Sequence, residues 1–121
     1  MVSSTSAFVA SVSPSEWVPV CPLALIPPEA GVCAWVNGVA VAIFRVGDAV
    51  HAIGDRDPFT GASVLSRGIV GDRGGVLKVS SPLHKQSFAV DTGECLDDPS
   101  VRVPVFACRV VDGVVEVRSR G

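Results

Sequence analysis

No Cys-x-x-Cys pair occurs in this chain, although it holds four cysteines, Cys21, Cys33, Cys95 and Cys108, spread along its length. That spacing excludes a zinc knuckle and a redox dithiol, and leaves four reduced thiols expected to be buried as small hydrophobes. Long apolar runs are missing too: nothing approaches the roughly 20 residues that cross a bilayer as a helix. Lysine and arginine never cluster, and ten of them against twelve acidic residues give a net charge of −2. Such a balance steers the protein toward neither nucleic acid nor an anionic membrane. Catalytic signatures are absent as well, with no Gly-x-Ser-x-Gly elbow, no phosphate loop and no His-Glu-x-x-His. Gly71-Asp72-Arg73-Gly74-Gly75 is glycine-rich, but no helix follows to aim at a phosphate, and it reads as a turn.

What is present is a valine-rich chain of 121 residues, 48% hydrophobic and 18% charged, a globular composition and the size of one domain. Residues 1–15 are mostly Ser, Ala, Val and Thr. They lack the basic start of a secretory signal, and Ser11 and Ser13 interrupt the apolar run after Phe8. A flexible tail is expected there, with the domain over 16–121 and the protein in the cytoplasm.

Three turn signals, Asn37-Gly38, Gly47-Asp48 and Asp112-Gly113, separate apolar runs and mark tight hairpins. Strands follow at 32–36, 39–46 and 49–53, with a final hairpin from 101–111 and 114–118. Trp17 to Val20 opens the fold, and residues 76–80 and 88–90 add two further strands. Along 39–46 both faces are apolar, since Val39, Val41 and Ile43 alternate with Ala40, Ala42 and Phe44. Such a strand belongs in the middle of a sheet. Helices are limited to a turn within 22–28, stopped by Pro27 and Pro28, and another near 62–65. The expected class is all-β: an antiparallel sandwich or partly open barrel, with a small loop subdomain inserted at about residues 55–100.

Two loops in that insertion carry the functional signal: Asp57-Pro58-Phe59, and Ser81-Pro82-Leu83-His84-Lys85-Gln86-Ser87-Phe88 followed by Asp91-Thr92-Gly93. Their frame resembles the paired loops of a Rieske domain, Cys-Pro-His and Cys-Pro-x-His. In such a domain two thiolates and two imidazoles hold a [2Fe–2S] cluster. The resemblance assigns the thiolate positions to Asp57 and Ser81 and the imidazole positions to Phe59 and His84. Only His84 keeps a ligand. Phe59 offers no donor, and Ser81 keeps its proton near neutral pH unless a metal activates it. A mononuclear metal on Asp57 and His84 would have two protein ligands and no third, short of the usual zinc set. On the structural side, Asp57 before Pro58 starts a turn and accepts a local N–H. Phe59 fills volume a cluster would occupy, and His84 reads as a polar surface group. Asp97-Asp98-Pro99 ends the loop region, and His51 sits in a strand without a motif.

The whole chain is similar to the small subunit of assimilatory NAD(P)H-dependent nitrite reductase. The resemblance runs through Trp17-Val18-Pro19-Val20-Cys21, Ile26-Pro27-Pro28-Glu29-Ala30-Gly31, Asp57-Pro58-Phe59-Thr60-Gly61-Ala62 and Leu65-Ser66-Arg67-Gly68-Ile69-Val70-Gly71-Asp72. It continues through the second loop to Thr92-Gly93-Glu94-Cys95-Leu96-Asp97-Asp98-Pro99. It implies a subunit with no catalytic, cofactor or metal site of its own. Its partner would be a large subunit carrying FAD, an iron–sulfur cluster and sirohaem, which reduces nitrite to ammonia with NAD(P)H. The candidate contact residues are Phe59, His84, Lys85 and Gln86. Rival readings are a Rieske-type [2Fe–2S] ferredoxin and a free-standing β binding module.

Overall fold

A computed structural model describes residues 8–10, 17–83 and 85–118, the first three by their backbone alone. Residues 1–7 and 11–15 of the expected tail, and Glu16, His84 and residues 119–121 of the expected domain, lie outside the described residues. The described residues form ten strands: β1 (Phe8–Ala10), β2 (Trp17–Pro22), β3 (Ala30–Val36), β4 (Val39–Val46), β5 (Ala49–Gly54), β6 (Ile69–Arg73), β7 (Val76–Ser80), β8 (Ser87–Ala89), β9 (Val105–Val111) and β10 (Val114–Arg118). Two single 3-10 turns, Leu23–Leu25 and Leu65–Arg67, complete the order. No helix among the described residues is long and apolar enough to cross a membrane.

The larger sheet runs β1-β3-β4-β5-β9-β10-β2, and β6-β7-β8 form a second, smaller one. Neighbours pair antiparallel, apart from the parallel contact of β1 with β3. β1 and β2 end the strand order yet touch each other, so the large sheet curls into a partly open barrel. Trp17 starts β2 with the Arg109 guanidinium 4.1 Å from its ring centre, a cation–π contact between neighbouring parts of the sheet.

Asn37-Gly38 and Asp112-Gly113 turn with positive φ at both residues, whereas at Gly47-Asp48 only the glycine is left-handed. These are the backbone twists that join antiparallel strands tightly. β4 lies between β3 and β5, as its two apolar faces require. Val41 and Ile43 enter one core with Val18, Ile26, Val36, Val115 and Val117. Ala42 and Phe44 enter a second with Ile53, Leu65, Val79, Phe88, Cys95 and Val103. That second core binds the inserted unit to the barrel.

Two segments differ from the sequence reading. β9 begins at Val105 rather than near 101, because Pro104 has no N–H to continue a ladder. Upstream, Val103 N donates to Gly93 O at 2.8 Å and Val101 N to Asp98 O at 3.0 Å, so this stretch serves the insertion. The glycine-rich segment is only half a turn: Gly71, Asp72 and Arg73 pair with Lys78, Leu77 and Val76. Gly74 and Gly75, both at positive φ, make the two-residue loop. Low strand propensity of glycine and aspartate hid this hairpin.

Gly93 and Gly113 share φ +77°, but a Cβ at Gly93 would run into Val103 O, while at Gly113 it would meet nothing within 4 Å. Gly113→Ala is expected to cost about 1 kcal/mol from the left-handed backbone alone. Gly93→Ala is expected to cost about 3 kcal/mol or more by adding a backbone clash. Urea denaturation of the two variants checks the difference; equal losses would remove the close approach from the account.

Candidate functional site: the joined loops

The first loop leaves β5 through Asp55, which is buried and fully engaged. Its N–H donates to Ala40 O at 3.0 Å, its carbonyl accepts Leu65 N at 3.0 Å, and its carboxylate accepts Ser66 N at 2.7 Å. Asp57 follows with no exposed surface. Its N–H donates to Ala62 O at 2.8 Å and its carbonyl accepts Gly61 N at 2.7 Å, closing the loop on itself. One carboxylate oxygen accepts Phe59 N at 2.8 Å, the local turn bond expected of an Asp before Pro.

The second loop leaves β7 at Ser81, which is also buried. Ser81 N donates to Gln86 O at 2.8 Å and Ser81 O accepts Lys85 N at 3.0 Å. The tightness of this loop puts Lys85 at φ +64°, a left-handed position uncommon for a side chain of its size. Leading out of the loop, Ser87 N donates to the Asp97 carboxylate at 2.8 Å. That bond comes first among the causes holding Asp97 below its ordinary range, with the Arg73 guanidinium adding to it.

A side-chain hydrogen bond joins the two loops. Ser81 Oγ donates to the second carboxylate oxygen of Asp57 at 2.5 Å, and it also accepts Leu83 N at 3.3 Å. The two positions that the Rieske resemblance assigns to thiolates are therefore bonded to each other. Phe59 lies with its ring centre 6.2 Å from that of the buried Phe88. At 39% exposure it covers Phe88 from outside, rather than filling interior volume as its sequence position led one to expect. Lys85 is exposed and Gln86 half-buried, with Gln86 Oε1 buried and without a hydrogen-bond partner among the described residues.

Leu83, half exposed, was not singled out from the sequence, nor were Asp55 and Ser66. An apolar residue in a short Pro-initiated loop was the available sign for Leu83. Nothing in the local pattern marks Asp55, whose partner lies 11 residues away. His51, in β5, stands 3.6 Å from the Asp91 carboxylate and away from the bond that joins the loops.

The donor set does not fit a [2Fe–2S] cluster. Such a centre takes thiolate and imidazole, whereas Asp57 and Ser81 spend their oxygens on each other and on backbone N–H groups, and Phe59 has only carbon to offer. Among the described residues no three His, Cys, Asp or Glu side chains gather into a metal site. Cys21 and Cys95 are buried and Cys33 and Cys108 half-buried, all as free thiols. Burial, aided by the nearby Asp55 carboxylate, pushes the Cys33 thiol up to about 11. Burial, aided by Cys21, pushes Cys108 up to about 12.

The loops and the barrel that carries them make a Rieske-type shell. The family described as "Rieske-like [2Fe-2S] domain" matches residues 16–118. The nitrite reductase (NADH) small subunit of Escherichia coli (strain K12) is 45% identical over 106 residues, covering 86% of this chain and 98% of that one. The NMR structure of the E. coli protein NirD superposes with a TM-score of 0.80 at 45% identity, over 85% of this chain and 96% of that one. A stretch of the nitrite reductase [NAD(P)H] large subunit of Klebsiella oxytoca is 39% identical over 101 residues, covering 84% of this chain and 11% of the relative. The chain belongs to the Rieske-like domain family, and within it to the small subunits of NADH-dependent nitrite reductase.

Two measurements test the site. Ser81→Ala is expected to cost about 2 kcal/mol and Asp57→Ala about 3 kcal/mol, since the latter strands both Ser81 Oγ and Phe59 N. The double variant should fall short of the sum by about 1–2 kcal/mol, as for residues in direct contact; strict additivity would mean the bond holds nothing together. For the thiols, a folded pKa above the unfolded value of about 8.5 means the folded state retains protons that the unfolded state has lost. Their contribution is full below that value and is lost as pH rises through about 11 for Cys33 and about 12 for Cys108. Denaturation midpoints should fall across this range and less so in Cys33→Ala/Cys108→Ala; an equal fall in both proteins would assign the loss to other groups.

Proposed function

We propose that this chain is a non-catalytic subunit that docks on the cofactor-bearing large subunit of a cytoplasmic nitrite reductase and carries no iron–sulfur cluster itself. The observation that supports this most is the Asp57–Ser81 hydrogen bond. It links the two loops through side chains that replace the sulfur ligands, so the loop pair keeps its form without inorganic support. The large subunit then supplies FAD, an iron–sulfur cluster and sirohaem, and reduces nitrite to ammonia with NAD(P)H. The small subunit supplies a surface that stabilises or orders its partner.

That surface is the tip of the joined loops. Phe59 and Leu83 hang from backbone N–H groups bonded to the Asp57 and Ser81 side chains. Both expose apolar area, with Lys85 exposed beside them in sequence. His84 and Gln86 complete the contact set. An apolar centre with a polar margin is the usual composition of a non-obligate interface. The presence of a like domain within a relative called a large subunit is what two units working side by side would lead one to expect.

Coexpression with the large subunit should yield a stable complex, with iron and acid-labile sulfide found on the large subunit and none on this chain. A brown small subunit with stoichiometric sulfide would instead make it a ferredoxin. Phe59→Ala combined with Lys85→Glu should weaken the complex by about tenfold or more, as loss of a central aromatic contact and a charge does. Unchanged affinity would move the interface off the loop tips.

A further inference from the structure

Beside the loops lies a second feature that the subunit reading does not use. A cleft of about 610 Å³ opens between the tip of the β3–β4 hairpin and the start of the insertion. Trp35, 41% exposed, and Ala40, its partner across the hairpin, form one apolar wall, and Pro58 and Pro104 also line the cleft. Arg56 and Arg102 line it too, both exposed.

Those two arginines differ from three others in the chain. Arg45, Arg73 and Arg109 each face a carboxylate, of Asp48, Asp97 and Glu116 respectively. No carboxylate lies within ion-pair distance of Arg56 or Arg102 among the described residues. Asp55 also lines the cleft, but it is buried and its carboxylate accepts Ser66 N. Two arginines without a carboxylate partner among the described residues thus share a cleft with an exposed indole, a positive and apolar recess in a net-negative protein. Arginine and tryptophan are also the side chains that most often dominate binding at protein interfaces.

Building on the subunit reading above, we propose that this cleft receives an acidic segment of the large subunit. An apolar side chain of that segment lies against Trp35 and Ala40, and one or two carboxylates meet Arg56 and Arg102. A second copy of this chain is the poorer occupant, because a two-fold contact through the cleft would set arginines against arginines. Pro58 joins the cleft to the loop tip through its neighbour Phe59, so the two surfaces form one face.

The test uses the purified large subunit and three forms of the full chain: wild type, Arg56→Glu/Arg102→Glu, and Trp35→Ala. All three are checked for the fold by circular dichroism. Charge reversal on exposed side chains is expected to weaken binding by about tenfold or more and to flatten its salt dependence. Trp35→Ala is expected to weaken binding with the salt dependence kept. A photo-crosslinking residue at Ser63, an exposed residue that lines the cleft, should capture a large-subunit peptide containing Asp or Glu. Wild-type affinity in both variants would overturn the cleft proposal and leave the subunit reading intact. Failure of the wild-type chain to bind at all would overturn the subunit reading and the cleft with it. A crosslink to a second copy of this chain, or to a stretch without carboxylates, would overturn the assigned occupant.

Discussion

A carboxylate and a hydroxyl 24 residues apart in sequence stand 2.5 Å apart in the fold, and the architecture of the insertion follows from that contact. Each partner is buried and each also holds a backbone N–H of its own loop. The bond therefore fixes two loop conformations and their separation at once. Buried polar groups of this kind are costly unless all their partners are in place, so the pair tolerates little rearrangement. A metal cluster joining two loops solves the same mechanical problem with different chemistry. Here oxygen and hydrogen do it with side chains of ordinary reactivity.

The loops would not face each other without the second core. β4 contributes Ala42 and Phe44 to that core while Val41 and Ile43 serve the barrel, so one strand fastens both units. Phe88 at the start of the exit from the second loop is fully buried there, and Leu65 anchors the chain between the loops. Gly31 sits where a Cβ would strike the Phe44 ring and Ser66 O, each at 2.6 Å, which shows how closely the insertion presses on the barrel. Packing at that density fixes the side of the insertion that meets the barrel, while the loop tips present Phe59 and Leu83 outward.

A scaffold and its chemistry are separable, and this chain illustrates the separation in residues. The turn at Asp57-Pro58, the loop at Ser81-Pro82 and the backbone bonds of Gly61, Lys85 and Gly93 shape the site without reference to iron. None of those bonds involves the side chain of Asp57, Phe59 or Ser81. What remains is a face with apolar tips, flanked by a cleft whose two arginines meet no carboxylate among the described residues.

Much of this was written in the primary structure. Asn37-Gly38, Gly47-Asp48 and Asp112-Gly113 announce their hairpins because few residues accept those backbone angles, and the two-faced pattern of 39–46 announces a central strand. The substituted ligand positions were equally plain, since a missing thiolate or imidazole is a fact of side-chain chemistry. The β6–β7 hairpin and the late start of β9 were not legible, because glycine, aspartate and proline dilute local preference and the deciding bonds reach to distant strands. The Asp57–Ser81 contact, the Asp55–Ser66 anchor and the pairing of Trp35 with Arg56 and Arg102 around one cleft were decided by tertiary structure alone. Each joins residues that share no local pattern, and only the packing of the insertion against β4 and β5 brings them within reach.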